Sequence, residues 1–168
     1  MGIFKRPIIN SLAISLGVLL IVFLLVRTDR QATEGQAAEA QAAGSQRAIQ
    51  ALVERQAEAW RIGDAEMVAA DFAEDAKFVV GTIVTIEGRD AIKGAALDYF
   101  ANYTDTQVEI IRVISDGNHG VVRWDWSDRH RETNARSKAE DAILFEIQEG
   151  KIVYWREFID KVDDQHRP

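Results

Sequence analysis

The sequence contains no cysteine, only three histidines, and fewer basic than acidic residues. Without cysteine, the protein can have no disulfide, no thiolate nucleophile and no zinc–thiolate site, although this absence points to no particular compartment. Its 20 Lys and Arg residues against 27 Asp and Glu residues give a formal net charge of −7. Because a nucleic-acid-binding surface usually needs a basic face, we expect no nucleic-acid partner.

The few histidines do not indicate a metal site. His119 lies beside a turn sequence and His166 lies in the polar C-terminal tail. Neither has the neighbouring ligand-type residues that a metal ion needs. We therefore expect no metal, and nothing in the sequence points to a cofactor.

Charge is also missing from one long segment, residues 8–26. Nineteen residues of helix extend about 28 Å, close to the thickness of the hydrocarbon core. A cleaved signal peptide is the alternative, but its apolar region is usually about 7 to 15 residues and a small-residue cleavage site follows directly. We therefore predict a retained single-pass membrane anchor, with Lys5 and Arg6 on the inside and the rest of the chain on the extracytoplasmic side.

Three further zones follow the anchor. Residues 31–45 are rich in Ala and Gln, carry no large apolar side chain and predict a polar, partly helical linker. Residues 46–162 predict one compact domain, and residues 163–168 form a polar tail. The domain opens with apolar residues at helical spacing. They are Ile49, Leu52, Val53, Ala57 and Trp60.

The order of elements in this domain predicts an α+β fold. Gly63 is placed to end the first helix and Asp64 to cap a short second helix, while residues 88–103 form a third helix. Short β segments are expected at 75–80 and 83–86, and four consecutive strands at 108–115, 120–130, 138–148 and 151–161. We expect the helices to pack in the concavity of a curved antiparallel sheet, as a cone with an open mouth.

Four motifs in this order resemble the nuclear transport factor 2-like superfamily, in its SnoaL-like branch. They occupy residues 59–64, 72–76, 86–92 and 150–158. The resemblance implies the cone-shaped roll. It leaves the activity open, because the superfamily includes isomerases, dehydratases, cyclases, epoxide hydrolases and non-catalytic binding proteins.

Two charged segments resemble the site of limonene-epoxide-hydrolase-like proteins. Arg123 and Asp125 lie at i and i+2, which places both on one face of a strand, and Glu157 follows on the last strand. The resemblance implies a catalytic set in which one carboxylate takes a proton, the other gives one, and the arginine holds both. Phe78 and Val80 stand where those hydrolases position water with Tyr and Asn, which puts epoxide hydrolysis in doubt.

Strand alternation extends this hypothesis to the rest of the pocket. With Arg123 and Asp125 on the concave face, Trp124 and Trp126 face outward and predict a homodimer interface. The predicted pocket lining around Glu157 consists of Asp141, Ile143, Phe145, Trp155, Phe78 and Val80. Two other interpretations of Arg123 and Asp125 remain open, a structural ion cluster and a solvated surface pair. The charges at 128–132 are expected to form a solvated strand tip.

Two classes of function are consistent with these features. The first is a membrane-anchored enzyme or binding protein for a small organic molecule. Its chemistry would be that of a cofactor-independent isomerase, cyclase, dehydratase or epoxide hydrolase. The second is a non-catalytic, membrane-anchored interaction or assembly module that uses the same fold.

Overall fold

The computed structural model describes residues 11–82 and 84–162, with side chains described from residue 34 onward. Among these residues, those up to 43 form one unit and those from 44 onward form another. The elements are α1 Ser11–Ile62, α2 Ala65–Ala70, β1 Phe72–Val80, β2 Val84–Glu87, α3 Arg89–Asn102, β3 Tyr103–Asp116, β4 His119–His130, β5 Arg136–Gln148 and β6 Lys151–Lys161.

The predicted membrane anchor, residues 8–26, lies outside the residues whose side chains are described, and so does the tail 163–168. No helix in the described part of the chain is both long and apolar enough to cross a membrane. The predicted linker, residues 31–45, is helical and belongs to α1.

The sequence signals that surround the end of α1 act as expected. The predicted apolar stripe is buried, from Ile49 at 4% exposed to Trp60 at 8%. Gly63 follows the helix with a φ of 74°, a left-handed conformation that glycine adopts without steric cost. Asp64 caps α2 by accepting a hydrogen bond from the Met67 backbone N–H at 2.9 Å.

Six strands form one mixed sheet in the order β2-β1-β6-β5-β4-β3. The run from β3 to β6 is the predicted antiparallel meander. However, β1 pairs with β6 in parallel, so the expectation of a wholly antiparallel sheet was wrong. The two strands are joined by most of the domain instead of a hairpin, and a connection of that length permits parallel pairing.

The core lies between the inner face of this sheet and the helices. Its largest fully buried side chains include Trp124, Trp155 and Phe145, and the rings of Phe145 and Trp155 stack with centroids 5.7 Å apart. Gly120 pairs with Phe145 across β4 and β5. A Cβ at Gly120 would lie 2.2 Å from the Phe145 ring, so only glycine fits there.

The face of β4 that packs against the core is the one opposite to the predicted face. Trp124 is fully buried, and Trp126 packs against the ring of Trp60 at 5.6 Å. The prediction that both tryptophans face outward as a dimer interface was therefore wrong. Each tryptophan removes a large apolar area from water, whereas Arg123 and Asp125 would lose hydration, so alternation places the charged pair outside.

Candidate active site

A cavity of about 530 Å³ opens on the concave side of the sheet. Most of its wall is apolar or aromatic and comes from the helices, β1, β2 and the inner faces of β4 and β6. This part of the wall includes Trp60, Phe78, Val80, Ile86, Ile92 and Ile159. Three carboxylates also line the cavity, those of Asp128, Asp141 and Glu157. A few polar groups in an apolar cavity are typical of a small-molecule site.

Each of these carboxylates accepts a hydrogen bond from a tryptophan indole N–H. The three pairs are Trp155 Nε1 with Glu157 Oε1 at 3.1 Å, Trp124 Nε1 with Asp141 Oδ2 at 3.2 Å, and Trp126 Nε1 with Asp128 Oδ2 at 3.0 Å. Two pairs join residues at i and i+2 on one strand face, and the third joins cross-strand partners. A neutral donor fixes the orientation of a carboxylate without supplying the positive charge that would keep it ionised.

Glu157 lies between two apolar strand neighbours. Its pairing partners are Val80 on β1 and Ile143 on β5. Burial raises the pKa of Glu157 from 4.5 to about 7; the Trp155 N–H opposes this shift, and the charge of Asp141 adds to it. The carboxyl group can therefore gain or lose a proton near neutral pH.

Asp141 is 5% exposed and lies beside Trp124 in the register of β4 and β5. Burial raises its pKa from 3.8 to about 6; the Trp124 N–H opposes the shift and the charge of Asp125 adds to it. Its Oδ1 atom is buried and has no hydrogen-bond partner among the described residues. A buried acceptor without a donor adds to the cost of ionising this carboxyl group.

Asp128, near the C-terminal end of β4, is the centre of a polar network in the cavity wall. It accepts hydrogen bonds from the Tyr99 hydroxyl at 2.7 Å, from Trp126 and from the Ser137 hydroxyl. Burial is the largest cause that raises the pKa of the Tyr99 phenol above its usual range, so Tyr99 acts as a neutral donor. Asp128 is 7% exposed, and the expectation that it belongs to a solvated strand tip was wrong.

The spacing that reveals Asp128 was present in the sequence. Trp126 and Asp128 stand at i and i+2, as do Trp155 and Glu157. At that spacing the two side chains share a strand face, so a buried indole places its acid beside it. Because charged residues follow at 129–132, Asp128 was grouped with them as part of a solvated strand tip.

The other predicted pocket residues divide into two groups. Phe78, Val80 and Asp141 line the cavity. Ile143, Phe145 and Trp155 face inward and are fully buried in the core, but they do not line the cavity.

The predicted cluster of Arg123, Asp125 and Glu157 does not form. Arg123 Nη2 contacts Asp125 Oδ1 at 3.2 Å and Glu140 Oε2 at 2.8 Å, and these side chains are roughly half exposed on the outer face. Glu157 lies on the inner face. Arg123 and Asp125 therefore form a solvated surface pair, which is one of the alternatives that the sequence left open.

The described residues contain no group of three or more His, Cys, Asp or Glu side chains that could hold a metal ion. The cavity wall presents three carboxyl groups and the Tyr99 hydroxyl beside apolar side chains. Carboxyl groups with pKa values raised toward neutrality, in a largely apolar cavity, are suited to proton transfer.

Comparison with known proteins finds a family that matches most of this domain. Residues 53–155 match the family model described as the SnoaL-like domain. No curated protein matches the chain.

Solved structures with the nuclear transport factor 2 or ketosteroid isomerase-like fold also match. An epoxide hydrolase of M. tuberculosis, described as LEH-like, has 20% identity and a TM-score of 0.61, over 70% of this chain and 85% of that one. A putative polyketide cyclase of Xanthomonas campestris pv. campestris has 20% identity and a TM-score of 0.62, over 69% and 92%. A hypothetical protein of Catenulispora acidiphila with a ketosteroid isomerase-like fold, in complex with trimethylamine, has 20% identity and a TM-score of 0.60, over 64% and 83%.

Proposed function

The chain belongs to the SnoaL-like domain family, and we propose that its domain binds a small, largely apolar organic molecule and acts on it by proton transfer through Glu157. The observation that carries this proposal is the position of the Glu157 carboxylate, held by one indole N–H in a mostly apolar cavity. A carboxylate freed from most of its hydration is a stronger base than one in water.

Asp141 supports the same reaction as a second, separately placed acid. Its cross-strand partner is Ile159, two residues after Glu157 on β6, so Asp141 and Glu157 are diagonal neighbours about 7 to 8 Å apart in their backbones. An unsaturated ketone that fits between them would lose a C–H proton to Glu157. The electron pair of that bond moves to the carbonyl oxygen. Because the two acids interact, they can share one proton, and the reactive form is the one with the charge on Glu157 and the proton on Asp141, which then donates a hydrogen bond to this oxygen. Return of the proton to a second carbon completes an isomerisation.

Hydrolysis of an epoxide is less well supported than proton transfer. An attacking water needs a second hydrogen-bonding side chain next to its base, and the strand partners of Glu157 are Val80 and Ile143. Neither can hold a water molecule by its side chain.

A chromogenic probe of general-base catalysis tests the proposal. 5-Nitrobenzisoxazole is small, aromatic and ring-opened by loss of a single C–H proton. We expect the protein to accelerate this ring opening, with a rate that rises with pH around a midpoint near 7 as Glu157 ionises. Glu157→Gln should lose most of the acceleration, by about 100-fold or more, which is typical of removing a general base.

Glu109→Gln is the matched control, since it removes an exposed carboxylate that does not line the cavity. It should keep the rate of the unaltered protein. Equal rates for Glu157→Gln and the unaltered protein would overturn the assignment of Glu157 as the base.

We also propose that residues 8–26 anchor the protein in a membrane, as a single span. The support is the absence of charge over nineteen residues, together with basic residues on both sides of the run. Alkaline carbonate extraction should leave the full-length protein in the membrane pellet. Recovery of a soluble form that begins near residue 40 would show a cleaved signal instead.

One observation favours the second class of function, an interaction module. On the outer face, Ile114, Val121 and Leu144 are paired in register across three neighbouring strands and are each at least 40% exposed. Contiguous exposed apolar side chains favour a protein partner. Because Arg123 and Glu140 lie on the same face with opposite charges, a second copy of the chain is a suitable partner.

A further inference from the structure

Three aromatic rings meet at one part of the cavity wall. Trp60 of α1, Tyr99 of α3 and Trp126 of β4, here called the aromatic corner, all line the cavity. The ring centroids of Trp60 and Tyr99 lie 5.5 Å apart, and those of the other two pairs lie 5.6 Å apart. The ring planes cross at 84°, 70° and 68°, so the three faces point in different directions. The face of an aromatic ring is electron-rich and attracts a cation within about 6 Å of its centroid.

The carboxylate of Asp128 lies at the polar edge of the aromatic corner. Its Oδ2 atom accepts hydrogen bonds from the Tyr99 hydroxyl at 2.7 Å and from the Trp126 indole N–H at 3.0 Å. Its Oδ1 atom accepts one from the Ser137 hydroxyl. These three neutral donors orient the carboxylate but bring no positive charge to it. The carboxylate and the ring faces therefore attract the same kind of ligand, a cation.

The basic residues nearest to Asp128 in sequence and register do not neutralise it. Arg129 pairs with Asp105 at 2.5 Å, and strand alternation turns it away from the face of Asp128. Arg136 and Lys138 flank Ser137 on β5, so alternation places them on the opposite face as well. His130 shares the face of Asp128, but its Nδ1 atom accepts a hydrogen bond from the Thr133 backbone N–H at 3.3 Å.

Lys161 is the cation of the inner face, and it lies nearer to Asp141 than to Asp128. It pairs with Ala139, so Asp141 on β5 is its diagonal neighbour, whereas Asp128 lies one strand further away on β4. No ion pair joins Asp128, Asp141 or Glu157 to a lysine, arginine or histidine in the part of the chain that the structure describes. The three carboxylates outnumber this one exposed lysine, so the inner wall favours a cationic ligand over an anionic one.

We infer that the aromatic corner and Asp128 form a subsite for an alkylated ammonium group, and that the substrate is an organic amine. Its N-alkyl groups contact the three rings, and its charge faces the Asp128 carboxylate. A charged group enters a largely apolar cavity only where a partner offsets the loss of its hydration. The subsite supplies this partner, and it repels an organic acid.

The subsite and Glu157 lie at different parts of the same cavity. Ser137, the strand partner of Asp128, and Ile143, the strand partner of Glu157, are six residues apart on β5. This separation corresponds to about 20 Å along the backbone, so a substrate that reaches both is an elongated amine. The inference rests on the proposed function in this respect, since it names the substrate class of the same cavity.

A matched pair of ligands tests the subsite. N,N-dimethylbenzylamine is a cation near neutral pH, and N,N-dimethylbenzamide has almost the same shape without the charge. Binding of each to the full-length protein is followed by tryptophan fluorescence, since Trp60 and Trp126 belong to the subsite. We expect the amine to bind at about a fivefold to tenfold lower concentration than the amide. The preference should persist at about 500 mM salt, because enclosed charges are screened little, whereas attraction to the net charge of −7 would be lost.

Asp128→Asn should bring the amine to within about twofold of the amide and leave the affinity for the amide unchanged, which shows that the cavity is intact. Tyr99→Phe and Tyr99→Leu both lose the hydroxyl, and only the second loses the ring. The preference of Tyr99→Leu for the amine should therefore be about threefold smaller than that of Tyr99→Phe. Asp98→Asn is the matched control, because Asp98 is exposed on α3 and does not line the cavity. It should keep the full preference.

The outcomes separate the two proposals. Equal binding of amine and amide to the unaltered protein, binding of neither, or an Asp128→Asn variant that keeps the preference would each overturn the inference. Should Asp128→Asn lose the amide as well, equal preferences of the two Tyr99 variants would overturn it. In all these cases the proposed function stands if the protein opens 5-nitrobenzisoxazole through Glu157. A preference for the amine without this ring opening would leave the subsite in place and refute the proposed function.

Discussion

Replacement of Glu157 by glutamine should stabilise the protein at high pH and leave its stability nearly unchanged at low pH. The carboxyl group is surrounded by apolar side chains and has one indole N–H as its donor. Its pKa is raised from 4.5 to about 7, chiefly by burial. Glutamine keeps the shape and an acceptor oxygen for Trp155, but it carries no charge at any pH.

The sign follows from proton linkage. Between pH 4.5 and about 7 the folded protein holds a proton on Glu157 that the unfolded chain has lost, so the free energy of unfolding falls as the pH rises through this window. An interval of about 2.5 pH units, at about 1.4 kcal/mol each, corresponds to at most about 3.5 kcal/mol, and partial exposure of Glu157 reduces this figure. The unaltered protein has lost this stability once the pH passes about 7, and the variant has not.

Urea denaturation at about pH 4 and about pH 8 measures the effect as a difference of differences. The advantage of Glu157→Gln should grow by about 2 to 3 kcal/mol between the two conditions, with equal m-values. Any constant cost of placing the amide in the cavity cancels. Glu109→Gln, an exposed change on β3 at a residue with no side-chain hydrogen bond or ion pair among the described residues, should stay within about 0.5 kcal/mol throughout. An advantage that is the same at both pH values would refute the buried, raised-pKa description of Glu157.

Four other outcomes are expected. Gly120→Ala should cost about 1 to 3 kcal/mol in urea denaturation, because its Cβ would overlap the ring of Phe145; a neutral result would contradict their close approach. Asp128→Ala should cost about 2 to 4 kcal/mol by the same measurement, since it leaves buried donors without an acceptor, and the Asn variant should cost less. Arg123→Ala should cost about 0 to 1 kcal/mol, as an exposed pair does, and a loss above about 3 kcal/mol would restore the buried cluster. Leu144→Glu should make a dimer monomeric in light scattering; if the unaltered protein is monomeric at tens of micromolar, the outer face does not join two copies.

Much of the fold follows from local sequence because its signals act over a few residues. The buried stripe of α1 is visible as helical spacing from Ile49 to Trp60, and its end is visible at Gly63 and Asp64. The four-strand meander follows from alternating patterns and from the tight turn after Gln148. The parallel pairing of β1 and β6 has no such local signal, because it joins segments about 80 residues apart.

The candidate site divides in the same way. Glu157, Asp141, Phe78 and Val80 reach the cavity as strand alternation predicts once the inner face is known. The error on β4 came from the choice of face. The two possible faces carried Arg123 with Asp125, or Trp124 with Trp126, and the apolar area of the tryptophans decided it.

The sequence by itself determined the α+β class, the membership in the SnoaL-like family and the order of the helices and strands. Several boundaries differ from the prediction, since β1 begins at Phe72 instead of 75 and β3 at Tyr103 instead of 108. It also determined which residues share a strand face, because alternation is a property of the backbone. Only the tertiary structure decided which face each strand turns to the helices, since that depends on side chains from distant parts of the chain. For the same reason it alone decided the pKa values of Asp141 and Glu157. Burial raises them, and burial is produced by residues that are remote in sequence.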